Sequence, residues 1–144
     1  MNPDPEWHLR VMSPADYDDV IALWRACEGI GLSAADERDA IATYLDRNPA
    51  MSFVAVAGGR IVGAVLGGHD GRRGYLHHLA VQPAWRRRGI GCALVDAALA
   101  SLKVIGIQKC NLFLIDDNET GRVFWLKHGW TARGDIALLQ KNLR

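Results

Sequence analysis

The stretch from Tyr75 to Gly106 constrains this chain most, because its periodicity changes in the middle. Tyr75-Leu76-His77-His78-Leu79-Ala80-Val81 is a short, strongly apolar run closed by Pro83, a residue with no N–H for a strand ladder, and it reads as a β-strand. Beyond it, Ile90, Ala93, Leu94, Ala97, Ala98, Leu102 and Ile105 recur at the spacing of one helical face, and Gly106 is placed to end the helix. Between the two lie Arg86, Arg87, Arg88, Gly89, Ile90 and Gly91. Glycine at a strand-to-helix turn admits positive φ and lets a ligand approach main-chain N–H groups closely. The helix start adds orphan donors and the positive end of the macrodipole, and the arginines add full charges. An anion such as a pyrophosphate suits this turn.

The same spacing also fits a plainer reading. Three consecutive arginines are often a solvated surface run, and glycines two apart are frequent in loops. Two other phosphate-binding patterns are excluded outright. There is no Gly-Lys-Ser/Thr ending for a nucleoside-triphosphate loop and no third glycine for a dinucleotide fingerprint.

Composition narrows the class without naming it. At 144 residues the chain is long enough for one domain spanning residues 1–144, burying roughly 68–70% of its unfolded surface. A net charge of +1 argues against a dedicated nucleic-acid binder, which concentrates a strong basic excess on one face. The basic residues gather at Arg72-Arg73 and Arg86 to Arg88, a pattern suited to a small anion. No run approaches the ~20 apolar residues of a membrane helix, and no apolar leader follows a basic start, so a cytoplasmic location without membrane contact is expected. Cys27, Cys92 and Cys110 lie in apolar surroundings without metal-type spacing, which favours reduced core residues and no bound metal.

Along the chain the elements alternate in type. Trp7 to Met12 reads as a strand, Ser13-Pro14 as a helix start, and Val20, Ile21, Trp24 and Cys27 as one helical face. Ser33 is placed to cap a second helix that runs to about Arg47 and stops at Asn48-Pro49. Residues 52–57 and 60–68, joined by Gly58-Gly59, read as a hairpin. After the helix that follows Gly91 come a strand over 109–115, a helix over 119–128 and a last strand over 135–142. Antiparallel neighbours first and a parallel crossover later give an α/β chain with a mixed sheet.

The motif residues resemble those of a known family. Leu79-Ala80-Val81-Gln82-Pro83-Ala84-Trp85-Arg86-Arg87-Arg88-Gly89-Ile90-Gly91 is similar to the acyl-CoA-binding motif of the GNAT superfamily of N-acetyltransferases, Arg/Gln-x-x-Gly-x-Gly/Ala after a strand with a valine near its end. Asn118-Glu119-Thr120-Gly121-Arg122-Val123-Phe124-Trp125-Leu126-Lys127-His128-Gly129-Trp130 resembles the later family motif, Asn-x-x-Ala-x-x-Phe/Leu-Tyr-x-x-x-Gly-Phe. The order and separation agree with the family from about residue 7 onwards. Residues 22–27, 70–74 and 124–130 further resemble its small single-domain bacterial YpeA-like subgroup.

The resemblance implies a GNAT fold: a central mixed, mostly antiparallel sheet of about seven strands, flanked by about four helices. Two strands splay after a bulge to open a V-shaped cleft for the cofactor. It further implies that acetyl-CoA is the acyl donor and that the acceptor is a primary amine of a protein, peptide or small molecule. The backbone of Leu79, Ala80 and Val81 would line the pantetheine arm, and the N–H groups from Arg86 through Arg87, Arg88, Gly89 and Ile90 to Gly91 would hold the pyrophosphate. Asn118 would contact the arm, cap a helix, or do both. Homodimers are frequent in the family, and the sequence leaves the oligomeric state open.

Transfer needs a neutral amine and then a proton for the departing thiolate. A lysine of pKa ≈ 10.4 must be deprotonated across roughly 3 units at neutral pH, about 4–5 kcal/mol, whereas an α-amine near 7.7–8 needs about 1 unit. His77 suits the proton acceptor's part, because its ordinary pKa is near neutrality and the segment resembles the corresponding strand of serotonin N-acetyltransferase, where a histidine at this position is implicated in proton removal. A structural strand histidine is the plainer alternative. Strict alternation puts His77 on one face with Tyr75 and Leu79, and His78 on the other. One departure from the family is chemical: its usual acid, a tyrosine seven residues after the motif asparagine, is Trp125 here, and an indole N–H has no proton to give. Tyr75, Tyr17 or water would then protonate the thiolate, or the chain only binds or senses acyl-CoA. Trp125 itself would pack along the cofactor arm or in the core. Residues 28–36 and 131–135 would form the acceptor site, with Glu28, Asp36 and Glu37 available to a cationic amine.

Overall fold

Glycines mark the two hairpin turns of the computed structural model, which describes residues 6–143; residues 1–5 and 144 lie outside the described part. The strands are β1 (His8–Val11), β2 (Phe53–Ala57), β3 (Arg60–His69), β4 (Gly74–Val81) and β5 (Cys110–Leu112), and they form one sheet in that order. The first three pairings are antiparallel and β4 with β5 is parallel, so the sheet is mixed and mostly antiparallel. Four α-helices accompany it among the described residues: α1 (Tyr17–Ala26), α2 (Arg38–Arg47), α3 (Ile90–Val104) and α4 (Glu119–Lys127).

The chain divides into two compact units. Met1–Phe113 holds the sheet and α1 to α3, and Leu114–Arg144 holds α4. In the first unit, one sheet face is covered by an apolar cluster that includes Val20, Ile21, Trp24 and Cys27 from the α1 region and Ile41 from α2, packed on Val54, Val56, Ala64, Leu66 and Ala80. The opposite face receives α3. Its buried Ile90, Leu94, Ala98 and Leu102 repeat every fourth residue and form one stripe. That stripe meets glycines: a Cβ at Gly63 would lie 3.0 Å from Ile90 Cγ2, and one at Gly74 would lie 2.7 Å from Leu102 Cδ1. At Gly67 a Cβ would collide with the main-chain oxygen of Met51. Because that atom is backbone and cannot swing aside, Gly67→Ala is expected to lower unfolding stability by about 3 kcal/mol, read by urea denaturation.

Three expectations are corrected. Among the described residues five strands are present where about seven were expected. The segment over residues 135–142 is not a strand, and its Ile136, Leu138 and Leu139 are exposed. A strand needs a ladder partner to satisfy its amides, and this segment has none among the described residues. The second helix is also interrupted. Ser33 does cap, accepting the Ala35 N–H at 3.2 Å, but it starts a single 3-10 turn, Ala34–Asp36. Glu37 is then extended, with ψ 159°, before α2 begins.

Candidate active site

A register slip in β4 organises the site. His77 lies opposite Leu66 and Ala80 opposite Ala64, so Val65 alone faces two residues, His78 and Leu79. His78 is the bulged residue, with φ +53°, a left-handed conformation that non-glycine residues seldom take. An inserted residue reverses the alternation beyond it. Before the bulge, His77 shares the α1/α2 face with its partner Leu66, and its ring lies 6.1 Å from that of Tyr44 in α2. Beyond it, Ala80 belongs to that same face, while Val81 pairs with Gly63 and faces α3.

The strict alternation expected from sequence therefore fails at one point, with two consequences. Leu79 does not share a face with His77. His78 does not turn to the opposite side either, because its ring packs edge-on against Trp24 of α1 at 4.9 Å and its Nε2 lies 2.8 Å from Asp36 Oδ1.

The bulge is followed by an open edge. β5 pairs with β4 only from Gly74 to Leu76, so His77 to Val81 has no ladder partner on that side among the described residues. The Gln82 N–H donates to Val62 O at 2.8 Å on the β3 side. Bonding alternates along an antiparallel ladder, so Ala80 also turns its amide to β3, and Leu79 and Val81 turn theirs to the open edge. The Val81 carbonyl already accepts from Arg86 Nε at 3.0 Å. An extended amide-bearing arm laid along this edge would meet the remaining main-chain groups of Leu79 and Val81.

The edge runs into the basic turn. Arg87 and Gly89 both take positive φ, +65° and +82°, on either side of Arg88, and all three residues are exposed. Alternating left-handed residues aim successive N–H groups into a concave anion site, and Gly89 is the N-cap of the 15-residue α3. The three arginines are not equivalent. Arg88 lies over the Trp85 ring at 4.8 Å, and Arg86 turns back to pair with Glu28 at 2.9 Å. That pair holds the Glu28 carboxyl below the usual carboxylate range. Glu28 is thus engaged with the basic turn, and Asp36 with His78.

His77 stands in an aromatic cluster at the start of the open edge. Tyr75 is nearly parallel to it at 6.4 Å, and Phe113 lies 6.2 Å away. Burial pushes the His77 pKa below its ordinary value, and neighbouring His78 adds to that, against a smaller opposing pull from Asp36. The ring is therefore neutral at pH 7 and able to accept a proton. Tyr44, whose buried hydroxyl has no hydrogen-bond partner among the described residues, is pushed up to about 12 by burial. Sequence reasoning did not single out Tyr44 or Phe113; the only trace of Tyr44 is its position three residues after the buried Ile41 on α2. Tyr17 donates its hydroxyl to the Asp36 carbonyl at 2.7 Å.

In the second unit, Asn118 caps α4, its Oδ1 accepting the Gly121 N–H at 3.0 Å. Trp125 is half-buried, its ring 5.0 Å from Trp130 and 5.1 Å from Phe124. Among the described residues, no three His, Cys, Asp or Glu side chains gather as a metal site. Cys27 is buried, Cys92 and Cys110 are half-buried, and burial raises the Cys110 thiol to about 11.

A bulged strand with one open edge, running into an anion-suited turn at a helix start, is the frame of an acyl-CoA-dependent transferase. The chain belongs to the acetyltransferase (GNAT) family, whose model matches residues 17–130. An acetyltransferase of Sodalis glossinidius is 33% identical over 135 residues, covering 94% of each chain. One from Yersinia enterocolitica is 36% identical over 111 residues, 77% of this chain and 78% of that one.

Solved structures share the fold. The PaiA N-acetyltransferase of Thermoplasma acidophilum in complex with coenzyme A gives a TM-score of 0.79 at 19% identity, over 89% of this chain and 91% of that one. An aminoglycoside N-acetyltransferase, AAC(6')-Iy, in complex with CoA gives 0.73 at 17% identity, over 98% and 99%. The GNAT fold expected from sequence is thus the fold observed, with five strands described. Among the described residues, no helix is long and apolar enough to cross a membrane.

Proposed function

We propose that this chain moves an acetyl group from acetyl-CoA to a primary amine by direct attack in a ternary complex. The observation that carries the proposal is continuous in space: an open β4 edge at Leu79 and Val81 leads into the left-handed turn at Arg87 and Gly89. In this reading the edge amides hold the pantetheine arm. The N–H groups from Arg87 to Gly91, with the charges of Arg87 and Arg88, hold the pyrophosphate; the Arg86 N–H, expected to join them, donates instead to Pro83 O at 3.3 Å. By the family resemblance alone, Asn118 and Trp125 are assigned to cofactor contact and residues 1–144 to one acetyltransferase domain. The thioester supplies an activated acetyl carbonyl. A main-chain N–H near Val81 polarises it, and pre-aimed donors of this kind stabilise developing oxyanion charge.

His77 takes the proton that the attacking amine loses, and its neutral state at pH 7 equips it to do so. Tyr75, nearly parallel to His77, is the hydroxyl donor for the departing thiolate in place of the missing tyrosine at Trp125. The acceptor amine belongs to a protein, peptide or small molecule. The aminoglycoside N-acetyltransferase among the structural relatives supports the small-molecule end of that range. The protein works in the cytoplasm without nucleic-acid or membrane partners. A second reading, an acyl-CoA-binding or sensing domain without turnover, is favoured by one observation, the tryptophan at position 125.

A pH profile checks the part assigned to His77. Its folded pKa lies below the ordinary 6.5, so the base form persists on mild acidification and the acidic limb of kcat/KM is expected below pH 6.5. The sign for stability agrees: below about 6.5 the unfolded chain binds the proton first, so stability contributed by neutral His77 is present above that pH and declines as pH falls. Direct attack is tested by initial rates at varied acetyl-CoA and amine. Intersecting double-reciprocal lines and an unchanged protein mass after incubation with acetyl-CoA alone are expected. Parallel lines with an acetylated protein would contradict the ternary complex.

A further inference from the structure

The loop between α1 and α2 is fastened to β4 at the bulge itself. Asp36 is buried, with 7% of its surface exposed, and its acceptors are committed in three directions. Oδ1 lies 2.8 Å from His78 Nε2, Oδ2 accepts the Ser33 N–H at 3.0 Å, and the main-chain carbonyl accepts the Tyr17 hydroxyl at 2.7 Å. His78 is both the partner of this carboxylate and the residue whose left-handed backbone creates the bulge. Left to itself, a histidine leaves that conformation for the extended region. Doing so here would swing the ring away from Asp36 and from Trp24, leaving a buried carboxylate unpaired. Losing the hydrogen bond to a buried carboxylate together with the packing on Trp24 outweighs the strain of one left-handed residue, so the contact wins and the bulge stays.

We propose that Asp36 is a positioning residue: by pairing with His78 it locks the β4 bulge, holds open the edge that takes the pantetheine arm, and ties the acceptor-side loop to the cofactor strand. This rests on the acetyl-CoA reading given above. The hydrogen bonds of Asp36 run to His78, Ser33 and Tyr17 and not to the phosphate turn, so its removal should be felt by the arm and not by the nucleotide end. Because one residue joins cofactor strand and acceptor loop, filling the cleft and ordering the loop are coupled.

The test compares two ligands by calorimetry on the whole chain: acetyl-CoA, and 3′-phosphoadenosine 5′-diphosphate, which is the nucleotide end without the arm. In Asp36→Ala, which leaves His78 no acceptor at this position, acetyl-CoA binding is expected to weaken about tenfold or more while the nucleotide stays within about twofold, which also shows the variant folded. Adding His78→Gly removes the Cβ penalty at positive φ, so the double variant is expected to regain acetyl-CoA affinity to within about threefold of the unmodified chain. It replaces the single variant if Asp36→Ala does not fold. Equal loss for both ligands, no loss for acetyl-CoA, or a double variant without recovery overturns the lock. An unmodified chain that binds the nucleotide and acetyl-CoA no better than each other would overturn the arm-binding reading instead, and the lock with it.

Discussion

His77→Ala is expected to lower kcat/KM for acetyl transfer by about 10²–10⁴, the range that a positioned proton acceptor contributes. Three features place this residue above the other titratable groups of the site. It stands where β4 parts from β5, directly before the bulge; it is neutral at pH 7 through burial; and it shares a face with Tyr75 and Tyr44. His78 differs from it in that its Nε2 is engaged by Asp36 at 2.8 Å. The fall should grow with the basicity of the acceptor, because a lysine-like amine carries a larger deprotonation cost than an α-amine. It should also remove the acidic limb assigned to His77, while acetyl-CoA affinity stays unchanged. A variant with full activity and an unaltered pH profile would return His77 to a structural part and leave family membership untouched.

Gly89→Val carries the second large effect, this time on binding. Nothing lies within 4 Å of a Cβ built at Gly89, so the substitution meets no steric block; the strain comes from φ +82°, which a β-branched residue resists. The cost is about 1–3 kcal/mol, and relieving it re-aims the N–H groups that face the pyrophosphate. Acetyl-CoA affinity should fall by about 10-fold to 100-fold by calorimetry. Gly59→Val is the control, since Gly59 has φ +77°, equally open surroundings and a place in the β2–β3 hairpin. It should lose comparable stability and keep its acetyl-CoA affinity. Loss of affinity in both variants to the same degree would detach the phosphate turn from the cofactor.

Much of this frame is readable from residue order, because it depends on neighbours. The β2–β3 hairpin follows from two adjacent glycines, α3 from an apolar repeat every three to four residues, and the anion turn from glycines beside arginines at a strand-to-helix junction. The bulge is a different matter. It comes from the pairing of β4 with β3, and histidine carries no local mark of positive φ, so an unbroken apolar run conceals a reversal of faces at His78. Asp36 is similar. Its position near a helix start suggests a dipole partner or an amine attractor, whereas its carboxylate is spent on a residue 42 positions later in the chain. Arg86 reads as a phosphate-loop charge, yet folding brings Glu28 beside it from 58 positions away. A short apolar run within 135–142 suggests a strand, and only the missing ladder partner among the described residues shows otherwise.

The most direct measurement is mass spectrometry of products after incubating the whole chain with acetyl-CoA and a mixed panel of N-terminal peptides, lysine peptides, amino acids, polyamines and aminoglycosides. An acetylated amine that appears with the enzyme, and is strongly reduced with His77→Ala, is the expected result. Acetyl-CoA that binds tightly yet leaves every amine unmodified would contradict acetyl transfer and identify the chain as a binding domain.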